Sequence, residues 1–267
     1  MTAVAQTVIE IRDLTLHYRG APAPTLGGVG FAVGRGEFVA VVGPSGAGKT
    51  TLLNCVSGLL PATSGEVRLE GKAITSPSRH IAIVFQDYSR SLFPWLTAAK
   101  NVSLPLKSRG VPRTVIAERV ESSLASVGLS GQGGKYPWEM SGGMQQRVAI
   151  ARALALEPHV LIMDEPMASV DAQTRSDLED LVLRIWAERQ VTVIFVTHDI
   201  DEAIYMSDRV VVLSTPPTTV HNVVEVPLPR PRNQLATKED PRFGHLRADL
   251  FTEIRDLRAR SAAPAAS

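Results

Sequence analysis

The segment from Gly43 to Thr50 carries the most specific chemical pattern in this chain. It reads GPSGAGKT and fits the phosphate-binding loop Gly-x-x-x-x-Gly-Lys-Ser/Thr. Backbone N–H groups of such a loop converge on a polyphosphate, and the dipole of the helix that follows adds roughly half a positive charge there. We expect Lys49 to reach the β- and γ-phosphates and the Thr50 hydroxyl to bind Mg²⁺.

Polar side chains also follow several short apolar runs of the kind that form buried strands. They are Gln86, Asp164, Glu165 and His198. In a parallel sheet, ligands bind at the carboxyl ends of the strands. We therefore expect these side chains and the phosphate loop to lie along one edge of a sheet.

These four side chains suit reactions at a phosphate group. A carboxylate at Asp164 can hold Mg²⁺ through a water, opposite Thr50. Glu165 can polarise the attacking water, Gln86 can bind Mg²⁺ or that water, and His198 can donate a hydrogen bond to a γ-phosphate. Taken singly, each of these residues also has a simpler interpretation. The Asp-Glu-Pro sequence could be a surface turn, Gln86 a solvated strand end, and His198 an ordinary histidine at a strand end.

A second helix start suited to phosphate lies at Ser141-Gly142-Gly143. Ser141 is a predicted N-cap, and the two glycines let backbone N–H groups approach an anion. Two phosphate-facing helix starts far apart in one chain suggest two copies that close on each other's nucleotide. Tyr18 lies upstream of the phosphate loop at a distance typical of a side chain that stacks on adenine, or it is a half-buried strand aromatic.

Strands and helices alternate around these residues. We predict helices over Arg113–Val127, Gly142–Leu156, Ala172–Arg189 and Ile200–Met206, and a loop over Gly20–Gly30. Continuous apolar strands that alternate with helices indicate a parallel sheet covered on both faces. The predicted fold class is therefore α/β.

Composition excludes some classes of protein. The chain has 267 residues and a formal charge of +1, which argues against a broad basic face for nucleic acid. Its single cysteine, Cys55, cannot form an internal disulfide, so we expect the chain to belong in a reducing compartment. We expect Cys55 itself to be a small buried apolar residue. We find no secretory signal and no apolar run near the ~20 residues of a membrane span, so any tie to a membrane must come from a partner.

Together these residues resemble the ATP-binding subunits of ABC transporters, over roughly Ile9 to Leu213. In the family's order, the motifs are the A-loop Tyr18, Walker A (Gly43 to Thr50), the Q-loop Gln86, the signature Ser141-Gly142-Gly143, Walker B (Val160 to Asp164, with Glu165), the D-loop Ser169-Val170-Asp171 and the switch residue His198. The resemblance implies a P-loop NTPase core with a mainly parallel sheet, a small antiparallel β subdomain and a helical insert.

The resemblance also implies ATP and Mg²⁺ as ligands, and it assigns roles to residues. The implied catalytic residues are Glu165, His198 and Gln86, and the implied metal contacts are Thr50, Gln86 and Asp164. The implied nucleotide-binding residues are Tyr18, Gly43, Pro44, Ser45, Gly46, Ala47, Gly48, Lys49, Thr50, Thr51, Ser141, Gly142 and Gly143. The implied domain plan is an ABC ATPase domain over 7–214 with a helical subdomain at about 87–156, a short C-terminal extension over 215–260 and a disordered tail over 261–267.

The family resemblance further implies partners. It implies a head-to-tail homodimer that holds two ATP, integral membrane permease subunits that contact the chain near Gln86–Thr97, and indirectly a substrate-binding protein. Phe93-Pro94-Trp95 is a plausible anchor for a permease helix, or it is local packing. The implied location is the cytoplasmic face of a bacterial cell membrane, and no nucleic-acid partner is expected.

Within the family, the chain resembles importers of nitrate, sulfonates and taurine. The resemblance rests on the short length, Phe93-Pro94-Trp95, Val170–Arg175 and the tail Val226–Arg232. Met167–Val170 departs from the usual Phe-Gly-Ala-Leu, and the spacing from Gln86 to Pro94 is longer than the sulfonate and taurine type has. The alternatives are an ABC motor for another substrate or for lipid or cell-envelope export, and a soluble ABC ATPase outside transport. The transported solute itself is not encoded in any residue named above.

Overall fold

The computed structural model describes residues 6–87 and 91–262, with side chains as far as residue 259. The chain divides into two compact units. The first unit joins Met1–Ser78 to Gln190–Ser267, and the second unit is Arg79–Arg189.

Strands and helices alternate through much of the described chain. In chain order the strands are β1 (Thr7–Leu16), β2 (Leu26–Gly34), β3 (Phe38–Val42), β4 (Ser64–Leu69), β5 (Lys72–Ala73), β6 (Ile81–Val84), β7 (Val160–Asp164), β8 (Thr192–Val196), β9 (Arg209–Leu213) and β10 (Val220–Glu225). The helices are α1 (Lys49–Val56), α2 (Ala98–Ser108), α3 (Arg113–Ser126), α4 (Gly142–Leu154), α5 (Ala172–Arg189), α6 (Ile200–Met206), α7 (Ala236–Glu239) and α8 (Pro241–Ala262), with a 3₁₀ turn at Pro137–Glu139.

The first unit contains two groups of strands. An antiparallel sheet has the order β2-β1-β4-β5. In the other group β3 runs parallel to both β8 and β9, and β10 pairs antiparallel with β9. Every residue of β3 and of β8 is buried, and all except Thr192 are apolar, so neither strand alternates between apolar and polar residues. Strands of this kind hold the loops at their carboxyl ends in fixed register.

The second unit combines a parallel strand pair with helices. β6 and β7 are parallel, in the register that pairs Val84 with Met163. Helices α2, α3 and α4 pack against one another, and α4 also packs against β6. The α/β class and the separation into parallel and antiparallel sheets agree with the sequence prediction.

The structure corrects three details of that prediction. The segment Gly20–Gly30 is not all loop, because β2 begins at Leu26. Its glycine at 27 allows close packing, since a Cβ there would lie 2.9 Å from the Cβ of Pro217. Helix α2 was not predicted; it contains Pro105, a residue that argues against a helix interior. Helix α4 ends at Leu154 and not at Leu156.

The C-terminal region is more ordered than its composition indicates. Strand β10 and the 22-residue helix α8 both lie in the C-terminal region that begins at residue 215. Ser261 and Ala262, the first two residues of the expected disordered tail, belong to this helix. Residues 263–267 of that tail lie outside the described residues. Within the described part of the chain, no helix is both long enough and apolar enough to cross a bilayer.

Candidate functional site

The phosphate loop lies between the carboxyl end of β3 and the first turn of α1, as its sequence predicts. Gly46 and Gly48 have φ values of 79° and 68°, which only glycine adopts without strain. The Lys49 ammonium donates hydrogen bonds to the carbonyls of Gly43 and Pro44, at 3.2 and 3.3 Å. The lysine thus curls back over the loop, where a phosphate group can replace these carbonyls as its partner.

Residues distant in sequence support the loop from behind. The Thr218 hydroxyl, fully buried, donates a 3.0 Å hydrogen bond to the carbonyl of Ala47. A Cβ at Gly48 would come within 2.9 Å of the Thr25 Cγ2 atom, so this position has no space for a side chain. Sequence reasoning missed Thr25 and Thr218, because neither belongs to a motif and only the fold brings them to the loop.

Tyr18 lies next to the first turn of α1. Its hydroxyl is 3.2 Å from the Thr51 hydroxyl, and its ring is 44% exposed. An exposed aromatic ring beside the phosphate loop is suited to stacking on a base. The predicted contacts Tyr18, Thr50 and Thr51 therefore lie on the same unit and at the same end of α1.

His198 reaches the phosphate-loop edge through the pairing of β3 with β8. The register pairs Val41 with Val196, so Gly43 and His198 each lie two residues beyond the paired positions. The side chains of both neighbours of His198 are fixed. Thr197 donates a 2.6 Å hydrogen bond to Glu202, and Asp199 caps α6 by accepting from the N–H groups of Asp201 and Glu202.

Gln86 and Glu165 meet at the carboxyl edge of the second unit. Val84 of β6 pairs with Met163 of β7, and Gln86 and Glu165 each come two residues after these paired positions. The Gln86 amide donates a 3.2 Å hydrogen bond to the Glu165 carboxylate. Asp164, the last residue of β7, is 6% exposed. Glu165 has a φ of 43°, an uncommon value for a residue with a side chain and one that costs on the order of 1 kcal/mol or more.

Ser141 is the N-cap of α4, as predicted. Its hydroxyl accepts a 3.3 Å hydrogen bond from the Met144 N–H, and its backbone is extended. A Cβ at Gly143 would lie 2.4 Å from the Thr174 Cγ2 atom, so a side chain there would require Thr174 to move. Asp171 similarly caps α5, where hydrogen bonds from the Thr174 hydroxyl and N–H lower the pKa of its carboxyl.

The predicted oxygen ligands suit a small hard cation. They are the Thr50 hydroxyl, the Asp164 carboxylate and the Gln86 amide oxygen. No group of three His, Cys, Asp or Glu side chains that could hold a metal occurs among the residues that the structure describes. Mg²⁺ does not need such a group, because it keeps several waters and binds through one or two protein oxygens together with substrate phosphates. The hydroxyl, carboxylate and amide oxygens of these three residues are therefore ligand types that suit Mg²⁺.

A large groove on the second unit is lined in part by Phe93, which follows Gln86 in the sequence. Its volume is about 750 Å³, and its lining is mostly apolar: Ala82, Ile83, Phe85, Phe93, Leu104, Pro105, Ala153 and Leu156, with Asp87, Ser91, Ser108 and Arg152. Arg152 donates a 2.9 Å hydrogen bond to the Ser91 hydroxyl, and burial lowers the pKa of its guanidinium. Residues 88–90 of the predicted contact segment lie outside the described residues.

The fold and these loops define a phosphate-loop nucleotide-binding protein. The family model for ABC transporters matches residues 26–168 of the chain. The chain belongs to the ABC transporter ATP-binding family.

Curated relatives match most of the chain. It is 45% identical to the nitrate import ATP-binding protein NrtD of Synechococcus elongatus, over 84% of this chain and 82% of the relative. It is also 45% identical to the aliphatic sulfonates import ATP-binding protein SsuB of Bacillus cereus, over 77% and 80%, and 41% identical to the taurine import ATP-binding protein TauB of Chromobacterium violaceum, over 90% and 93%.

A solved structure supports the fold. The chain is similar to a dimeric ATP-binding cassette in a post-hydrolysis state bound to ADP and Pi, with a TM-score of 0.72 and 31% identity. The match covers 82% of this chain and 98% of that one. The expected family and α/β architecture are therefore confirmed.

Proposed function

We propose that this chain binds and hydrolyses ATP as the motor subunit of an ABC importer for a small anion. The observation that carries the proposal is the meeting of Gln86 and Glu165 beside Asp164, at the end of two parallel strands. An amide and two carboxylates so arranged have the chemistry needed to position and polarise a water next to a phosphate group. The phosphate loop supplies the other requirement, a cradle for that phosphate.

The first unit supplies the contacts that bind the nucleotide. Backbone N–H groups of Gly43 to Thr50 bind the phosphates, and Lys49 exchanges its two carbonyl partners for phosphate oxygens. Tyr18 stacks on the adenine ring. His198 donates a hydrogen bond to the γ-phosphate, and the fixed positions of Thr197 and Asp199 orient its backbone for that contact.

The second unit supplies the groups for hydrolysis. Glu165 accepts a hydrogen bond from the attacking water and polarises it. Because its backbone is left-handed, its side chain leaves the direction that a continued β7 strand would give it. Gln86 donates from its amide nitrogen to the Glu165 carboxylate, which leaves its amide oxygen as the atom that would bind the cation. Thr50, Gln86 and Asp164 are the residues that would hold Mg²⁺, and the bound cation would supply positive charge to offset that of the phosphates.

Two copies of the chain complete each site. Ser141, Gly142 and Gly143 form a helix start whose backbone N–H groups suit a γ-phosphate, and the chain already has a complete loop for the β-phosphate at Gly43 to Thr50. A second phosphate-facing helix start is explained if it serves the nucleotide of the partner copy. The dimeric post-hydrolysis cassette to which the chain is similar supports this arrangement.

The apolar groove beside Phe93 receives a helix of the permease. Its size of about 750 Å³ and its largely apolar lining suit one amphipathic helix. Trp95 is 67% exposed and packs against Phe93 with ring centroids 5.4 Å apart and ring planes tilted by 57°, which gives the rim an aromatic anchor. Arg152, whose charge is costly to bury, can donate to carbonyls at the C-terminal end of that helix. Through this contact we expect the chain to bind at the cytoplasmic face of the cell membrane.

The transported solute is nitrate, a sulfonate or taurine. This proposal rests on the names of the relatives, which match the chain over most of its length. The solute is selected by the permease and an external binding protein, which this chain contacts only indirectly.

The substitution Glu165→Gln tests the assignment of the hydrolytic group. We expect ATP turnover to fall by at least about a hundredfold, because the amide cannot polarise water as a carboxylate does, while ATP affinity stays within a few-fold of wild type. The matched control is Glu157→Gln, which alters a glutamate of the same unit that also has a positive φ, of 48°, but pairs with Arg119. Turnover near wild type in Glu165→Gln would overturn the assignment.

A further inference from the structure

The C-terminal helix α8 brings two arginines to a cavity beside the phosphate loop. The cavity has a volume of about 210 Å³ and lies wholly within the first unit. Its polar side chains are His198, Arg255 and Arg258, and Gly43 contributes to its wall. The described lining contains no carboxylate, so the fixed charge at this cavity is positive.

Helix α8 is held in place against the strands and helices of its unit. Its buried apolar residues include Leu250, Ile254 and Leu257. Glu253 accepts from the Asn222 amide at 3.4 Å and pairs with His221 at 3.4 Å, both on β10. Arg247 is 3.5 Å from Asp201 of α6. Contacts on two sides thus fix the face of the helix that carries the arginines.

The two arginines share that face. Arg255 and Arg258 are three residues apart, so they lie next to each other on the helix surface. Phe251 and Ile254, each four residues before one of the arginines, give the cavity an apolar wall. Arg255 also pairs with its neighbour Asp256 at 3.2 Å, but both side chains are more than half exposed, and an exposed pair of this kind is weak and easily exchanged.

We propose that this cavity is a binding site for a small oxyanion, held by the guanidinium groups of Arg255 and Arg258 and by the His198 ring. Guanidinium forks match the geometry of phosphate, sulfonate and nitrate oxygens. The cavity holds such an anion but is too small for a nucleotide. The apolar wall also accommodates the short alkyl group of an organic sulfonate.

An anion bound here links the C-terminal helix to His198. This consequence rests on the function proposed above, in which His198 contacts the γ-phosphate. An oxyanion that engages His198 from α8 competes for that contact, so its binding slows ATP turnover. Two sources share the required chemistry: phosphate released by hydrolysis, and a transported nitrate or sulfonate that accumulates in the cell.

The binding test uses the full chain with the substitution Lys49→Ala, which weakens competing anion binding at the phosphate loop. The titrations contain no ATP. Calorimetric titrations with inorganic phosphate, nitrate and methanesulfonate are compared among three proteins. The first protein carries only Lys49→Ala. The second carries Lys49→Ala together with Arg255→Gln and Arg258→Gln, and the third carries Lys49→Ala together with Arg247→Gln. We expect a dissociation constant of about 10 mM or lower for at least one anion, weakened about tenfold or more by loss of the two cavity arginines.

The control variant Arg247→Gln tests whether the cavity arginines are required, and the comparison of three anions identifies the source of the ligand. Arg247→Gln removes one positive charge from the same helix outside the cavity, and we expect it to change affinity by less than about twofold. Tightest binding of phosphate identifies the reaction product as the ligand, and tightest binding of nitrate or methanesulfonate identifies the transported class. Absence of binding by all three anions, or equal affinity with and without the cavity arginines, would overturn the proposal.

A second measurement follows turnover in chains that keep Lys49. The anion that binds most tightly should slow ATP hydrolysis by wild type and by Arg247→Gln. It should have little effect on the double variant Arg255→Gln and Arg258→Gln. Equal inhibition of all three chains would contradict the link to His198.

Discussion

The two units hold their candidate functional groups in different ways. In the first unit the phosphate loop has internal partners, since Lys49 bonds to two loop carbonyls and Thr218 supports Ala47 from a buried position. In the second unit Gln86 is exposed, and Glu165 has a left-handed backbone and lies one residue beyond its strand. The candidate nucleotide-binding groups therefore lie at packed strand ends, whereas the candidate groups for hydrolysis, Gln86 and Glu165, are more exposed.

This difference predicts a division of labour that mutations can separate. Substitutions in the phosphate loop should act on ATP affinity, and substitutions at the end of β7 should act on turnover with affinity preserved. A substitution of Glu165 that abolished ATP binding would contradict this division.

Lys49→Ala should have the largest effect on binding. The variant loses a charge-assisted contact to the phosphates, and we expect ATP affinity to fall by about a hundredfold or more. Equilibrium binding of a fluorescent ATP analogue measures the change. Lys72→Ala, at an exposed lysine of the same unit, is the matched control and should bind like wild type. Retained affinity in Lys49→Ala would show that the loop does not hold the nucleotide.

The double substitution Phe93→Ala and Trp95→Ala should act on assembly instead. Loss of the aromatic rim should weaken co-purification with the permease about tenfold or more, with ATP affinity unchanged. Trp138→Ala is the matched control, because Trp138 is 65% exposed on the same unit and stacks on Tyr136 away from the groove. An unchanged complex would count against the groove as the docking surface.

Thr218→Val should have the smallest effect. The change keeps the side-chain shape but removes the hydrogen bond to Ala47, which costs about 1–2 kcal/mol when the carbonyl stays buried. We expect a lower midpoint of thermal unfolding and a decrease in ATP affinity of less than about tenfold. Thr219→Val, whose hydroxyl contacts Ser214, alters the neighbouring residue without touching the loop. Identical midpoints and affinities in the two variants would indicate that Thr218 does not support the loop.

Sequence patterns predict the local motifs because their physics is local. Ser141 and Asp171 are N-caps within the first turn of their helices, and the glycines of the phosphate loop need positive φ whatever surrounds them. The apolar runs before Gln86 and Glu165 also predict parallel strands, and their equal offset from the paired positions explains why the two side chains meet.

Long-range packing explains what the sequence does not reveal. Thr25 and Thr218 reach the phosphate loop from segments without a motif, and the positive φ of Glu165 has no sequence signal. Helix α8 follows a segment rich in proline and arginine, so its local propensity gives no indication of the apolar contacts that fix it beside His198. Such contacts depend on the whole fold.

We propose that ATP joins the phosphate loop of one copy to the Ser141 helix start of another. Sedimentation velocity of Glu165→Gln, with and without ATP, and of the same chain with Ser141→Arg added tests it most directly. We predict that ATP converts Glu165→Gln to a dimer, and that the double variant still binds ATP but stays monomeric, because the arginine blocks the helix start without touching the loop. A dimer of the double variant with ATP, or loss of ATP binding by the monomer, would contradict the claim.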